Sequence, residues 1–185
     1  MMSMGVNKMI NCYSIVPWNC LLDYFDEATG SKVTVSAKPG KPEFERMWKP
    51  FLTDFASHLK EKGWIGITNI AMDERSPEEM DAAAALLSEC APELGFAIAD
   101  NHKSYRKYTM MKDVCVSMKF GMSAEDIAKR RAEGFNSTFY VSCSTQCPNT
   151  LTFSPAYESE FLSWYGEDRG YDGMLRWAWN SWPED

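Results

Sequence analysis

The sequence predicts an α/β fold with a parallel sheet, a partial (β/α)8 TIM barrel in which about six strands are present and the first strands are missing. Three observations predict it. Short runs of β-branched and aromatic residues alternate with amphipathic helical stretches, the pattern of right-handed βαβ units. Polar and aromatic residues gather just past the C-terminal ends of those runs, the face on which a barrel carries its active site. No Gly-rich phosphate loop follows any run, which weighs against an open nucleotide-binding sheet.

Taken in order, residues 9–16 (MINCYSIV) read as a strand ended by Pro17. Residues 24–36 hold two extended pieces around Ala28-Thr29-Gly30, a hairpin excursion. Across residues 43–62, Phe44, Trp48, Phe51, Leu52, Phe55 and Leu59 recur at three- and four-residue spacing, so a helix is expected, with Gly63 as its cap. Trp48 and Trp64 then belong to helix packing, and His58 falls on the polar side. Residues 65–72 (IGITNIAM) form an apolar strand that runs directly into Asp73-Glu74-Arg75. Ser76-Pro77-Glu78-Glu79 supplies an N-cap, a proline at the first helical position and a glutamate three residues after the cap, starting a helix at Pro77. Residues 95–99 are a strand ending in Asp100-Asn101-His102, and residues 113–118 another. Ser123 with Asp126 caps a helix closed by Gly134. Residues 137–142 are a strand, Ser154-Pro155 opens a helix carrying Phe161, Trp164 and Tyr165, and residues 173–179 are the last strand, before Asn180-Ser181-Trp182.

Six strands fall short of the eight in a closed barrel of about 250 residues, so the chain is expected to lack upstream βα units. The open edges and uncovered apolar interior would then be hidden by self-association or rearrangement.

Composition bounds the function classes. With 185 residues, 45% hydrophobic and 24% charged, one soluble domain is expected over 1–185. A net charge of -7 without a basic run repels phosphate backbones, which argues against nucleic acid as a partner. No stretch approaches the ~20 apolar residues of a membrane span, and residues 1–5 lack a signal peptide's apolar core. The six cysteines form no C-x-x-C knuckle and only His58 and His102 are present, so a zinc site is not expected and no metal or cofactor is implied. Cys90 and Cys115 sit in apolar runs as buried thiols, whereas Cys143 and Cys147 could close a small loop on spacing that does not decide it. Aromatic residues make up 14% of the chain, including seven tryptophans. Most serve the core, but the excess also suits a cleft that stacks sugar rings.

The chemistry centres on Asp73-Glu74. Neighbouring strand residues point to opposite faces, so two adjacent acids share a site only where the strand ends and the backbone bends. Two carboxyls in one cleft divide into an acid beside an anion at neutral pH, the division glycoside cleavage uses. The competing reading makes them helix-entry acids stabilised by the dipole of the helix from Pro77. Direct-attack retaining enzymes set their carboxyls ~5 Å apart across the sugar, and inverting ones farther, plans that adjacent residues suit poorly. They suit substrate-assisted hydrolysis, in which the 2-acetamido oxygen of the sugar is the nucleophile, one carboxylate stabilises the oxazolinium and its neighbour protonates the leaving oxygen.

Residues 48–64 (WKPFLTDFASHLKEKGW), 70–75 (IAMDER), 148–155 (PNTLTFSP) and 172–182 (DGMLRWAWNSW) resemble glycoside hydrolase family 123 over nearly the whole chain. The resemblance implies a (β/α)8 catalytic barrel preceded by β-sandwich material, in a retaining β-N-acetylhexosaminidase of the β-N-acetylgalactosaminidase type acting on an N-acetylhexosamine-containing glycan. It assigns Asp73 to the acetamido group and Glu74 to general acid/base work. Sugar contacts are drawn from Tyr140, Trp177, Trp179, Asn180 and Trp182, with Asn101 and His102 at the intervening strand end. It also implies a periplasmic or secreted bacterial protein. The alternative, from a different class, is a carbohydrate-binding protein or inactive fragment that keeps the aromatic cleft without turnover.

Overall fold

Six β-type runs become six strands of one sheet, and the runs between them become four helices. The computed structural model describes residues 2–5 and 7–176. In chain order the elements are β1 (Ile10–Tyr13), β2 (Leu21–Asp26), β3 (Ser31–Ser36), α1 (Pro42–Lys62), β4 (Thr68–Met72), α2 (Pro77–Cys90), β5 (Gly95–Ala99), β6 (Met111–Ser117), α3 (Ala124–Ala132), β7 (Asn136–Tyr140), α4 (Ala156–Arg169) and β8 (Gly173–Met174). The main sheet has the order β1-β4-β5-β6-β7-β8, while β2 and β3 pair separately. The architecture is α/β, a six-strand parallel half-barrel with four helices, consistent with a partial TIM barrel. The chain divides into two compact units, Met1–Ala97 and Ile98–Asp185.

In the first unit β1 runs parallel to β4, from Ile10↔Thr68 to Tyr13↔Ala71. The hairpin expected near residues 24–36 is present and starts slightly earlier, with Leu21 opposite Ser36 and Asp26 opposite Ser31. Asp26 closes its turn by accepting from the Ala28 N–H and the Thr29 hydroxyl, each at 3.0 Å. α1 buries Phe44, Leu52, Ala56 and Leu59 along one stripe and leaves His58 exposed. Gly63 ends it in the left-handed region at φ 70, a conformation that favours glycine. The strand after it is shorter than the sequence implies. Ile65–Ile67 form a 3-10 turn, and Thr68 begins the strand with its hydroxyl donating to the Trp64 carbonyl at 2.8 Å. All five residues of β4 are buried. At α2 the capping box forms both ways, Glu79 N–H to Ser76 Oγ at 3.3 Å and Ser76 N–H to Glu79 Oε2 at 3.2 Å.

In the second unit β6 pairs with β7 from Asp113↔Asn136 to Ser117↔Tyr140, and β7 with β8 through Thr138↔Gly173 and Phe139↔Met174, all parallel. The alternation of β7 is clean: Ser137 and Phe139 are buried, while Asn136, Thr138 and Tyr140 on the other face are half-buried. Phe139 lies against Tyr165 of α4 at 5.1 Å and Tyr171 at 5.2 Å between ring centroids. Gly166 makes room for it, since a Cβ there would lie 3.0 Å from the Phe139 ring. The Ser123 hydroxyl caps α3 by accepting from the Asp126 N–H at 3.1 Å. Cys115 is buried; Cys90, the last residue of α2, is only half-buried, and Cys143 and Cys147 are free and exposed. Of the strand expected at residues 173–179, β8 covers Gly173–Met174, and residues 177–179 lie outside the described residues. Among the described residues no helix is long and apolar enough to cross a membrane, and no group of three or more His, Cys, Asp or Glu could hold a metal ion.

Candidate active site

In the first unit the site is built where β4 hands over to α2. The strand ends at Met72 and the helix starts at Pro77, so Asp73 to Ser76 form the turn and are released from the pleat. Asp73 and Glu74 are both half-buried there. Asp73 Oδ1 accepts the Glu74 backbone N–H at 2.9 Å, which fixes that carboxylate's rotation. The turn is anchored sideways by the segment after β1. Ile15 N–H donates to the Ala71 carbonyl at 3.2 Å, and an Arg75 terminal nitrogen donates to the Val16 carbonyl at 2.7 Å. Two residues inward from Ala71, Asn69 is buried and its Nδ2 donates to Asn11 Oδ1 at 3.0 Å, a polar pair across β1 and β4. Tyr13, paired with Ala71 in the register, is exposed.

The second unit presents its own polar cluster at the ends of β5, β6 and β7. Asn101 bridges it: its Nδ2 donates to Tyr140 Oη at 2.9 Å and its Oδ1 accepts the Ser117 N–H at 2.9 Å. Both lone functions of the amide are used, so its orientation is set by the network. Asp100, only 3% exposed, turns the chain after β5 by accepting from the N–H groups of His102 at 2.9 Å and Tyr105 at 3.4 Å. His102 itself is exposed.

The loop after β7 is equally well determined. Asn149, 1% exposed, donates its Nδ2 to the carbonyls of Ser142 at 2.8 Å and Thr145 at 2.7 Å. Its N–H donates to the buried Glu158 carboxylate at 2.8 Å, and the Cys147 thiol donates to the same carboxylate at 3.4 Å. That bond, with some burial, raises the thiol's pKa.

Of the residues expected from sequence, Asp73 and Glu74 share one turn, and Asn101 and Tyr140 share a hydrogen bond. His102 stands at the same strand end as Asn101, and its backbone N–H donates to Asp100. Trp177, Trp179, Asn180 and Trp182 lie outside the described residues. Two residues of the first unit escaped the sequence reading. Arg75 stacks on the ring of Trp18, its guanidinium carbon 4.3 Å from the centroid. Pro17-Trp18 follows the C-terminal end of β1, so the rule that singled out the other strand ends applied to it as well.

Known proteins offer a direct comparison. No curated protein matches the chain. A solved structure of a family 123 glycoside hydrolase from Clostridium perfringens, described for glycolipid glycan hydrolysis, matches with a TM-score of 0.80 at 32% identity. The match covers 92% of this chain and 31% of that one, so the chain spans about a third of the solved protein's length. The family model of the glycoside hydrolase 123 catalytic domain matches residues 1–185, and the chain belongs to that family.

Proposed function

We propose that this chain carries the catalytic centre of a retaining β-N-acetylhexosaminidase of the β-N-acetylgalactosaminidase type, working by acetamido assistance on an N-acetylhexosamine-containing glycan. The observation that supports it is a pair of adjacent, half-buried carboxylates in the turn after β4, in a chain of glycoside hydrolase family 123. Adjacent acids are poorly arranged to attack and protonate one glycosidic bond from opposite sides, but they suit a reaction whose nucleophile is on the substrate.

In this reading Asp73 keeps one oxygen on the Glu74 N–H and offers the other to the acetamido N–H. The acetamido carbonyl oxygen closes on C1 while the C1–O bond breaks, and the Glu74 proton goes to the leaving oxygen. Asp73 stabilises the positive charge of the oxazolinium that results. Water then adds to C1, the oxazolinium opens, and the water's proton returns to Glu74. Two displacements at one carbon retain its configuration. Asn101, His102, Tyr140, Trp177, Trp179, Asn180 and Trp182 are proposed as sugar contacts. A glycolipid glycan is a reasonable substrate to try, because the Clostridium perfringens relative is described for hydrolysis of one.

The test is release of aryl alcohol from aryl β-N-acetylgalactosaminide and aryl β-N-acetylglucosaminide by full-length protein. Glu74→Gln should lower kcat by about 10²–10⁴-fold, the usual worth of a general acid. Turnover unaffected by that change removes Glu74 as the acid. Saturable sugar binding by wild type with no turnover favours the carbohydrate-binding alternative.

A further inference from the structure

The segment after β1 holds an aromatic ring in an unusual setting. Trp18 is 68% exposed, yet the Arg75 guanidinium covers one face of its ring at 4.3 Å. Arg75 is held in turn by the Val16 carbonyl at 2.7 Å, while its Nε is buried without a hydrogen-bond partner among the described residues. An orphaned buried N–H is destabilising, so stability alone does not account for this arrangement. What it achieves is a tryptophan locked from behind with its other face open. Such a face is shaped for the apolar C–H side of a pyranose, and fixing it beforehand removes the ordering cost of binding.

Its place in the chain says which sugar. Arg75 follows Glu74 directly in the chain, so the ring it covers is tied to the turn that carries the acid. If Glu74 protonates the leaving oxygen, a ring tied to the acid's own turn is placed to meet the group that leaves. We propose that Trp18 is the stacking platform for the leaving-group saccharide, a specificity-determining residue, and that Arg75 is its positioning residue. The proposal rests on Glu74 being the acid.

The experiment compares two substrates with one donor sugar and leaving groups of similar basicity: methyl β-N-acetylgalactosaminide, and a disaccharide in which a neutral hexose replaces the methyl. The readout is the ratio of kcat/KM for disaccharide over methyl glycoside, in full-length protein. Trp18→Ala should lower that ratio about tenfold or more, mainly through KM, and Trp18→Phe should restore most of it. Arg75→Met should give an intermediate fall, because the ring remains but is no longer held. Glu74→Gln, acting on both substrates alike, should leave the ratio where it was. A Trp18→Ala ratio within about twofold of wild type overturns the platform whatever Glu74→Gln does. Undiminished cleavage of both substrates by Glu74→Gln instead overturns the acid assignment.

Discussion

Arg130 of α3 is 5% exposed and reaches under the N-terminal ends of β6 and β7. Its Nε donates to Ser137 Oγ at 3.0 Å, one terminal nitrogen to the Met111 carbonyl at 2.9 Å, and the other to the Asn136 carbonyl at 2.7 Å. Tyr105 and Phe135 each lie 5.6 Å from the guanidinium carbon. Burial lowers the pKa of this guanidinium, with Asp113 acting against that shift. Arg130→Met keeps the stem and removes the fork. The three shorter of its four hydrogen bonds are worth about 1.5–3 kcal/mol each, the one to the Lys112 carbonyl at 3.5 Å adds little, and relief of the buried charge returns several kcal/mol, so the net loss should be about 3 kcal/mol. That is a large part of the 5–15 kcal/mol that holds a typical domain together. Urea unfolding followed by far-UV circular dichroism measures it: with a slope of ~2 kcal/mol/M, the midpoint should fall by about 1.5 M. Arg130→Lys should recover less than half, since an ammonium cannot serve three divergent acceptors. A midpoint shift below about 0.3 M for Arg130→Met would refute the reasoning. Because these contacts sit at the strand ends opposite the C-terminal ones that carry the proposed site, KM for a cleaved glycoside should stay at the wild-type value.

Burial, helped for Tyr105 by the hydrogen bond to Asp126, pushes the Tyr105 and Tyr171 phenols up to about 12 from the ordinary 10.0. A raised folded value gives stability that is whole below pH 10 and is lost as pH climbs through about 12. Phenolate absorbance should therefore show at least two late-titrating tyrosines, one fewer in Tyr105→Phe; complete ionisation near pH 10 contradicts this. Burial likewise pushes the Cys115 thiol up to about 12, so iodoacetamide near neutral pH should alkylate exposed Cys143 and spare Cys115 until urea is added, as peptide mass spectrometry can read. Asn149→Ala takes the donor from two loop carbonyls and should cost about 2 kcal/mol in the same urea assay; a loss under ~0.5 kcal/mol would show that the loop does not depend on it.

What the sequence makes legible is what short-range physics decides. Ser76 and Glu79 are three residues apart and cap α2 as their spacing requires, and the apolar spacing of α1 names three of its four buried residues, Phe44, Leu52 and Leu59. The six strands follow from short apolar and β-branched runs, although Gly66 lies in a tight turn that delays β4 to Thr68. Contacts between distant residues leave no such mark. Nothing in the run AEDIAKRRA separates Arg130, which is buried, from Lys129 and Arg131, which are exposed, because all three would do for a solvated face. Position singles out Asn101 and Tyr140 as strand-end residues, but their hydrogen bond joins residues 39 apart and depends on the pairing of β6 with β7. Trp18 shows the same limit from the other side. Its exposure reads as an ordinary loop aromatic until Arg75, brought alongside by the pairing of β1 with β4, covers one face and leaves the other open. Chemistry on a barrel sits on the turns after the strands, where side chains answer to neighbours from other strands rather than to their own periodicity. A candidate site of this kind is therefore half legible: sequence finds the turn, and only the packed sheet shows which residues in it are held still.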